Sequence, residues 1–157
     1  MQYFTAVWFF SAEQDGAVSL PKRVWYTIYM PKKEPLRYIE NAGELLAKSA
    51  IEEHIYIDEK YVRSACGVAY LGVLKAIEEY LLGKGLTRKE LPKKVEEYEK
   101  ALKKYASIYD GKLLLQFRTL YDELHIAGYY RGTLHRVATV KSSLKGARVF
   151  IEKIGRQ

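Results

Sequence analysis

Between Asp58 and Gly83 the chain carries alanine or glycine at Ala65, Ala69, Gly72 and Ala76, spaced i, i+4, i+7 and i+11 inside an apolar run. On a helix these four residues fall on one narrow stripe. A stripe without side-chain bulk lets another backbone lie against it, so it predicts a central helix with closely packed neighbours. Gly72 strengthens the point. A mid-helix glycine costs roughly 1 kcal/mol relative to alanine, and close packing is the natural compensation. Asp58 stands where an N-cap is expected, and Gly83-Lys84-Gly85 provides the stop.

Four more segments share the helical period. Leu36, Ile39, Ala42, Leu46 and Ala50 recur at three and four and predict a helix after Pro35. Thr87 and Glu90 form a capping box, with Pro92 in the first turn of a third helix that points Val95, Tyr98, Leu102 and Tyr105 inward and ends near Ser107. Asp110-Gly111 opens a fourth, whose stripe is Leu113, Phe117, Leu120, Leu124 and Ala127 and which stops in the turn at Gly128 to Gly132. A fifth places Val137, Val140, Leu144, Ala147, Ile151 and Ile154 on one seam. The connections are short and no strand-period segment follows Met30. The fold class expected is all-α, a five-helix antiparallel bundle.

Residues 1–29 read differently. They hold both tryptophans and three of the five phenylalanines, and no helical period is sustained. The apolar run from Tyr3 to Phe10 is well below the roughly 18 residues that suggest a membrane span, and it lacks the basic leader of a secretory signal. At Met30 the text changes to a polar lead-in, Met30-Pro-Lys-Lys-Glu-Pro35. The expected division is an irregular or weakly structured upstream extension over 1–29, with Met30 as the true initiator, and one bundle domain over 30–157. A small aromatic hairpin with Val24 to Tyr29 as a strand is the alternative.

Charge and cysteine narrow the function classes. The 157 residues carry a formal charge of +7 and 29% charged side chains, and a chain of this length supports its own core. Seven basic residues against the single acid Glu152 lie between Arg131 and Gln157. Lys141, Lys145 and Arg148 form a basic stripe on the fifth helix, read as a solvated face rather than a nucleic-acid footprint, because Phe150 is the helix's lone aromatic residue. Cys66 is the one cysteine. It permits no disulfide within the chain, fits a reducing cytoplasm, and reads as buried filler. Neither paired carboxylates, a glycine-rich phosphate loop nor clustered metal ligands are present in the sequence, so neither cofactor nor metal is expected.

One constellation remains. Arg118, Tyr121 and His125 share a flank of the fourth helix, with Asp122 four residues from Arg118 and able to pair with it. Arg118 and His125 are separated by about 10 Å of helical rise. That suits an arginine holding a phosphate and a histidine moving a proton, and equally suits the polar flank of a packed helix. Tyr121, Tyr129, Tyr130, Lys141, Lys145 and Arg148 are the candidate binding residues; Arg118 and His125 are the candidate catalytic pair.

The layout of Tyr38-Ile-Glu-Asn-Ala-Gly-Glu-Leu-Leu46, the tyrosine- and alanine-rich Tyr61 to Ile77, and Leu124-His-Ile-Ala-Gly-Tyr-Tyr130 resembles an uncharacterised group of small bacterial proteins known as a domain of unknown function. It is also similar, more distantly, to HEPN helical bundles. HEPN ribonucleases use an arginine followed after four to six residues by a histidine, a spacing that Arg118 and His125 meet at its upper limit. Thr119 stands where those enzymes often carry a polar Asn, Asp or His. The resemblance implies the fold first; many such bundles are non-catalytic partners, and dimerisation is common among them.

The reading favoured by the sequence is a non-enzymatic, dimeric, cytoplasmic module that binds a partner protein or ligand. The alternative is a metal-independent HEPN-type endoribonuclease or nucleic-acid binder using Arg118 and His125. A chain beginning at Met30 is expected to melt within about 5 °C of the full chain. A larger loss, more than about 1 kcal/mol for a domain this size, would mean that residues 1–29 belong to the core.

Overall fold

The computed structural model describes residues 34–106 and 111–157. The expectations for residues 1–29, and those resting on Ser107 and Asp110, lie outside the described residues. Five helices follow in order: α1 (Glu34–Leu46), α2 (Glu59–Gly83), α3 (Val95–Tyr105), α4 (Lys112–Leu120) and α5 (Val137–Ile154). A small antiparallel hairpin, β1 (Ile51–Glu52) and β2 (Ile55–Tyr56), joins α1 to α2. The all-α five-helix bundle expected from the sequence is the fold observed.

Helix α2 is central. Ala65, Ala69, Gly72 and Ala76 are all buried, and α1, α3, α5 and the segment after α4 pack around it. At Gly72 the approach reaches backbone distance: a Cβ built there would lie 2.8 Å from Tyr38 Cβ and 3.0 Å from the Pro35 carbonyl oxygen. The helix ends in a Schellman motif, with Gly85 at φ +99°, Leu86 N–H donating to Leu81 O (3.2 Å) and Gly85 N–H to Leu82 O (3.0 Å). Phe117 of α4 joins the aromatic part of the core, its ring centroid 6.4 Å from Tyr70, 6.2 Å from Tyr98 and 6.5 Å from Phe150.

Several local expectations are corrected. Helix α1 stops at Leu46, so Ala50 is exposed rather than part of the inward stripe. The hairpin was not anticipated, because two-residue strands are too short to alternate. Its turn holds Glu53 and His54 at positive φ. Asp58 occupies the N-cap position of α2, but its side chain makes no capping bond; its own N–H donates to Ser49 Oγ (3.1 Å). Thr87 and Glu90 do not open α3. The Glu90 carboxylate accepts from the Thr87 N–H (2.8 Å) and hydroxyl (2.7 Å), closing one 3-10 turn over Arg88–Glu90. Helix α3 begins later, where Glu97 reaches back to the Lys93 N–H (2.7 Å).

The largest departure lies beyond Leu120. Helix α4 continues without a break, but Tyr121–Tyr130 is wound as a π-helix, with bonds such as Arg131 N–H to Ile126 O (2.8 Å), five residues back. The wider turn displaces the expected stripe, so Ala127 is only half-buried and Gly128 takes the buried position.

Replacing Gly72 with leucine is expected to be more damaging than surface changes, since the added side chain meets α1 backbone. Overpacking of this kind costs about 1–3 kcal/mol, read as a lowered thermal midpoint. A Gly72→Leu variant that melts like the unsubstituted chain would contradict the central position of α2.

Candidate functional site

The π-helical segment Tyr121–Tyr130 is seated on α2 through two complementary absences of side chain. A Cβ on Gly128 would lie 2.6 Å from Cys66 Sγ, and a Cβ on Gly67 would lie 2.9 Å from the Tyr129 ring. Each glycine makes room for the partner's side chain. Arg63 closes the far end: its Nε donates to Tyr129 O (2.9 Å) and its Nη2 to Tyr130 O (2.9 Å). Glu59, one turn earlier on α2, orients the same guanidinium from 3.0 Å. Carbonyls that a helix end leaves unpaired are thus satisfied by a cation, the charge that suits a C-terminus.

This seating lines up a ladder of rings. Tyr121 and His125 stack with centroids 5.3 Å apart, and His125 and Tyr129 with centroids 5.9 Å apart. Buried Tyr70 of α2 backs the ladder, 5.0 Å from His125 and 5.9 Å from Tyr121. Burial, with Tyr121 beside it, pushes the Tyr70 phenol above the usual tyrosine range. The outer end of the ladder opens to solvent at Tyr129, and Tyr130 beside it is 70% exposed.

Arg118 is not part of this cluster. Its Nε and Nη2 donate to the two carboxylate oxygens of Glu99 on α3, at 2.9 and 2.8 Å. The expected pairing with Asp122 is therefore corrected: a neighbouring helix supplies the acid, in the bidentate geometry that guanidinium and carboxylate favour. Arg118 turns toward α3, whereas His125 packs on α2. The change from α to π winding after Leu120 removes the shared face that seven residues of uninterrupted α-helix would give. Nor does His125 close a helix end, since it lies in the middle of the π segment.

On α5, Lys141 and Lys145 are exposed and Arg148 is half-buried, while Phe150 belongs to the core. Cys66 is buried against Gly128, and burial pushes its thiol up to about 11. Among the described residues no cluster of three or more His, Cys, Asp or Glu is arranged to hold a metal ion. His54 and His135 use their carbonyls to join the hairpin to α5: Val137 N–H donates to His54 O (3.0 Å) and Tyr56 N–H to His135 O (2.9 Å).

Sequence reasoning reached Tyr121, His125, Tyr129 and Tyr130 but missed Arg63, Gly67 and Tyr70, which hold them in place. One signal was available. Gly67 and Tyr70 lie with Arg63 and Cys66 on the face of α2 turned away from the small-residue stripe, at i, i+3, i+4 and i+7 spacing.

The Glu99–Arg118 clamp has a pH signature. The guanidinium beside Glu99 holds its carboxyl below the usual carboxylate range. The clamp's contribution is present above that range and is lost as pH falls through the lowered value. Arg118→Met is expected to move the Glu99 titration back up toward about 4.3, followed by carboxyl NMR. An unchanged titration would show that the clamp does not form in solution.

Similarity to other proteins agrees with this architecture. No curated protein matches the chain. A solved structure of a protein of unknown function from Dyadobacter fermentans is 33% identical, covering 78% of this chain and 92% of that one, with a TM-score of 0.64. A crystal structure of a Sulfolobus solfataricus protein, 19% identical over 81% of this chain and 98% of that one, shares the fold with a TM-score of 0.62. Among the described residues, no helix is long and apolar enough to cross a membrane. The family profile described as Domain of unknown function (DUF5618) matches residues 30–156, and the chain belongs to that family.

Proposed function

We propose that this protein is a non-enzymatic, dimeric helical module of the cytoplasm that binds a partner protein or ligand. The observation that carries this reading is the separation of Arg118 from His125. Phosphodiester cleavage by such a pair needs a guanidinium free to hold the phosphate and an imidazole within hydrogen-bond reach of the reacting hydroxyl. Here one edge of the guanidinium, Nε and Nη2, is held by Glu99, and the imidazole is stacked between Tyr121 and Tyr129 against Tyr70. Binding asks less of the same residues. Tyrosines with one face packed and one edge open are typical anchors of interfaces; Tyr129, packed on Gly67 and His125, supplies one, and the exposed Tyr130 adds a second ring beside it. Lys141, Lys145 and Arg148 add an electrostatic component suited to an acidic partner.

Single-stranded RNA incubated with the protein in the presence of a chelator is expected to remain intact. Cleavage that disappears in an Arg118→Ala/His125→Ala double variant would overturn this reading in favour of a metal-independent HEPN-type endoribonuclease. A solution mass corresponding to the monomer would remove the dimer from the proposal.

A further inference from the structure

The open side of the bundle between α4 and α5 carries a groove of about 470 Å³. Its lining includes the small residues Thr119, Ser142 and Gly146 beside the buried Leu120, whose Cδ2 would lie in ordinary contact, 3.5 Å, with a Cβ built on Gly146. Leu115 and Val149 also line the groove, 66% and 45% exposed. Exposed apolar side chains beside positions with little bulk form a surface that admits a helix. The Gln116 Oε1 is buried behind the lining and closed to solvent, so it is not among the groups an occupant of the groove would meet.

Charge selects the occupant. Lys145 lines the groove, with Lys141 one turn before it on α5 and Lys153 two turns after. The acid in the lining, Glu123, already accepts from the buried Ser143 hydroxyl at 2.7 Å, while Asp122 lies exposed at one end and Glu152 is half-buried near the other. The rim along α5 is thus predominantly basic. A second copy is disfavoured, because a two-fold axis centred on Gly146 would set Lys145 against its own counterpart, and like charges brought together at an interface are repelled. Resting on the binding-module reading above, we propose that the α4–α5 groove is the docking site for an amphipathic helix of a partner protein, with leucine-like residues between Leu115 and Val149 and acidic residues along the α5 edge.

The probe is a synthetic amphipathic peptide of about 18 residues, matching the length of α5 and so about 27 Å long. It carries leucine at i, i+3, i+4 and i+7 and glutamate on both flanks, and its control replaces every glutamate with lysine. Binding to the full chain is followed by fluorescence anisotropy and by chemical-shift changes. The acidic peptide is expected to bind at least about tenfold more tightly than the basic one. Leu115→Ser and Lys145→Glu are each expected to weaken it by about tenfold or more, while far-UV circular dichroism and the thermal midpoint stay as in the unsubstituted chain. Both positions are exposed, so the fold does not rest on them. Equal binding of the two peptides, or shifts confined to Tyr129 and Tyr130, would overturn the groove while leaving the binding-module reading intact. Dimerisation abolished by the same two substitutions would assign the groove to a second copy and overturn the proposal. RNA cleavage dependent on Arg118 and His125 would defeat the underlying reading whatever the peptides do.

Discussion

Close approach to α2 is the constraint on which the rest of the molecule depends. Helices ordinarily pack with axes 8–10 Å apart, the spacing set by the side chains between them. Here Gly72 brings α1 within backbone reach, and the reciprocal Gly67 and Gly128 contacts bring in the π segment. The stabilisation comes from the large apolar side chains around this centre, including the buried Phe117, Phe150, Ile77 and Leu81, which can close on one another because α2 occupies so little width. Small residues set the geometry; larger ones supply the burial.

The same approach determines the character of the surface. Tyr129 lies against Gly67 with 48% of its surface still exposed, whereas Tyr70 is buried. His125 is held by rings on three sides, so its surroundings are those of a packing residue. Polar groups that enter the interior find partners: Tyr98 donates to Glu78 (2.8 Å), Tyr80 to Tyr105 O (2.7 Å) and Ser143 to Glu123 (2.7 Å). Among the described residues, Gln116 Oε1 is the one buried side-chain oxygen without such a partner.

Much of the bundle was legible in the sequence, for a physical reason. The inward positions of α1, α2 and α5 recur at the α-helical period, and Ile39, Ala42, Val140, Ala147 and Ile151 are buried where that period places them. What escaped depends on contacts across the chain or on departures from that period. Glu99 is nineteen residues from Arg118, so no local rule could prefer it to Asp122. The π winding shows no distinct apolar signature, because Leu124 is buried under either winding and the difference falls on Ala127 and Gly128, both small. The candidate site was half legible. Its tyrosines and histidine were visible as a cluster at i+4 spacing, but the residues that seat them come from α2, some sixty positions earlier.

The winding of Tyr121–Tyr130 makes chain length, as well as side-chain chemistry, a determinant of which residues meet α2. A π-helix accommodates more residues per turn than an α-helix. Removing one residue from this stretch need not break the helix, since it can be absorbed by a return to α winding. The cost falls on orientation: one residue of α-helix is a rotation of about 100°, so a single deletion redistributes the faces of everything between the deletion and Arg131. Relatives that differ by one residue here would keep the same bundle while presenting a different set of side chains to its surface.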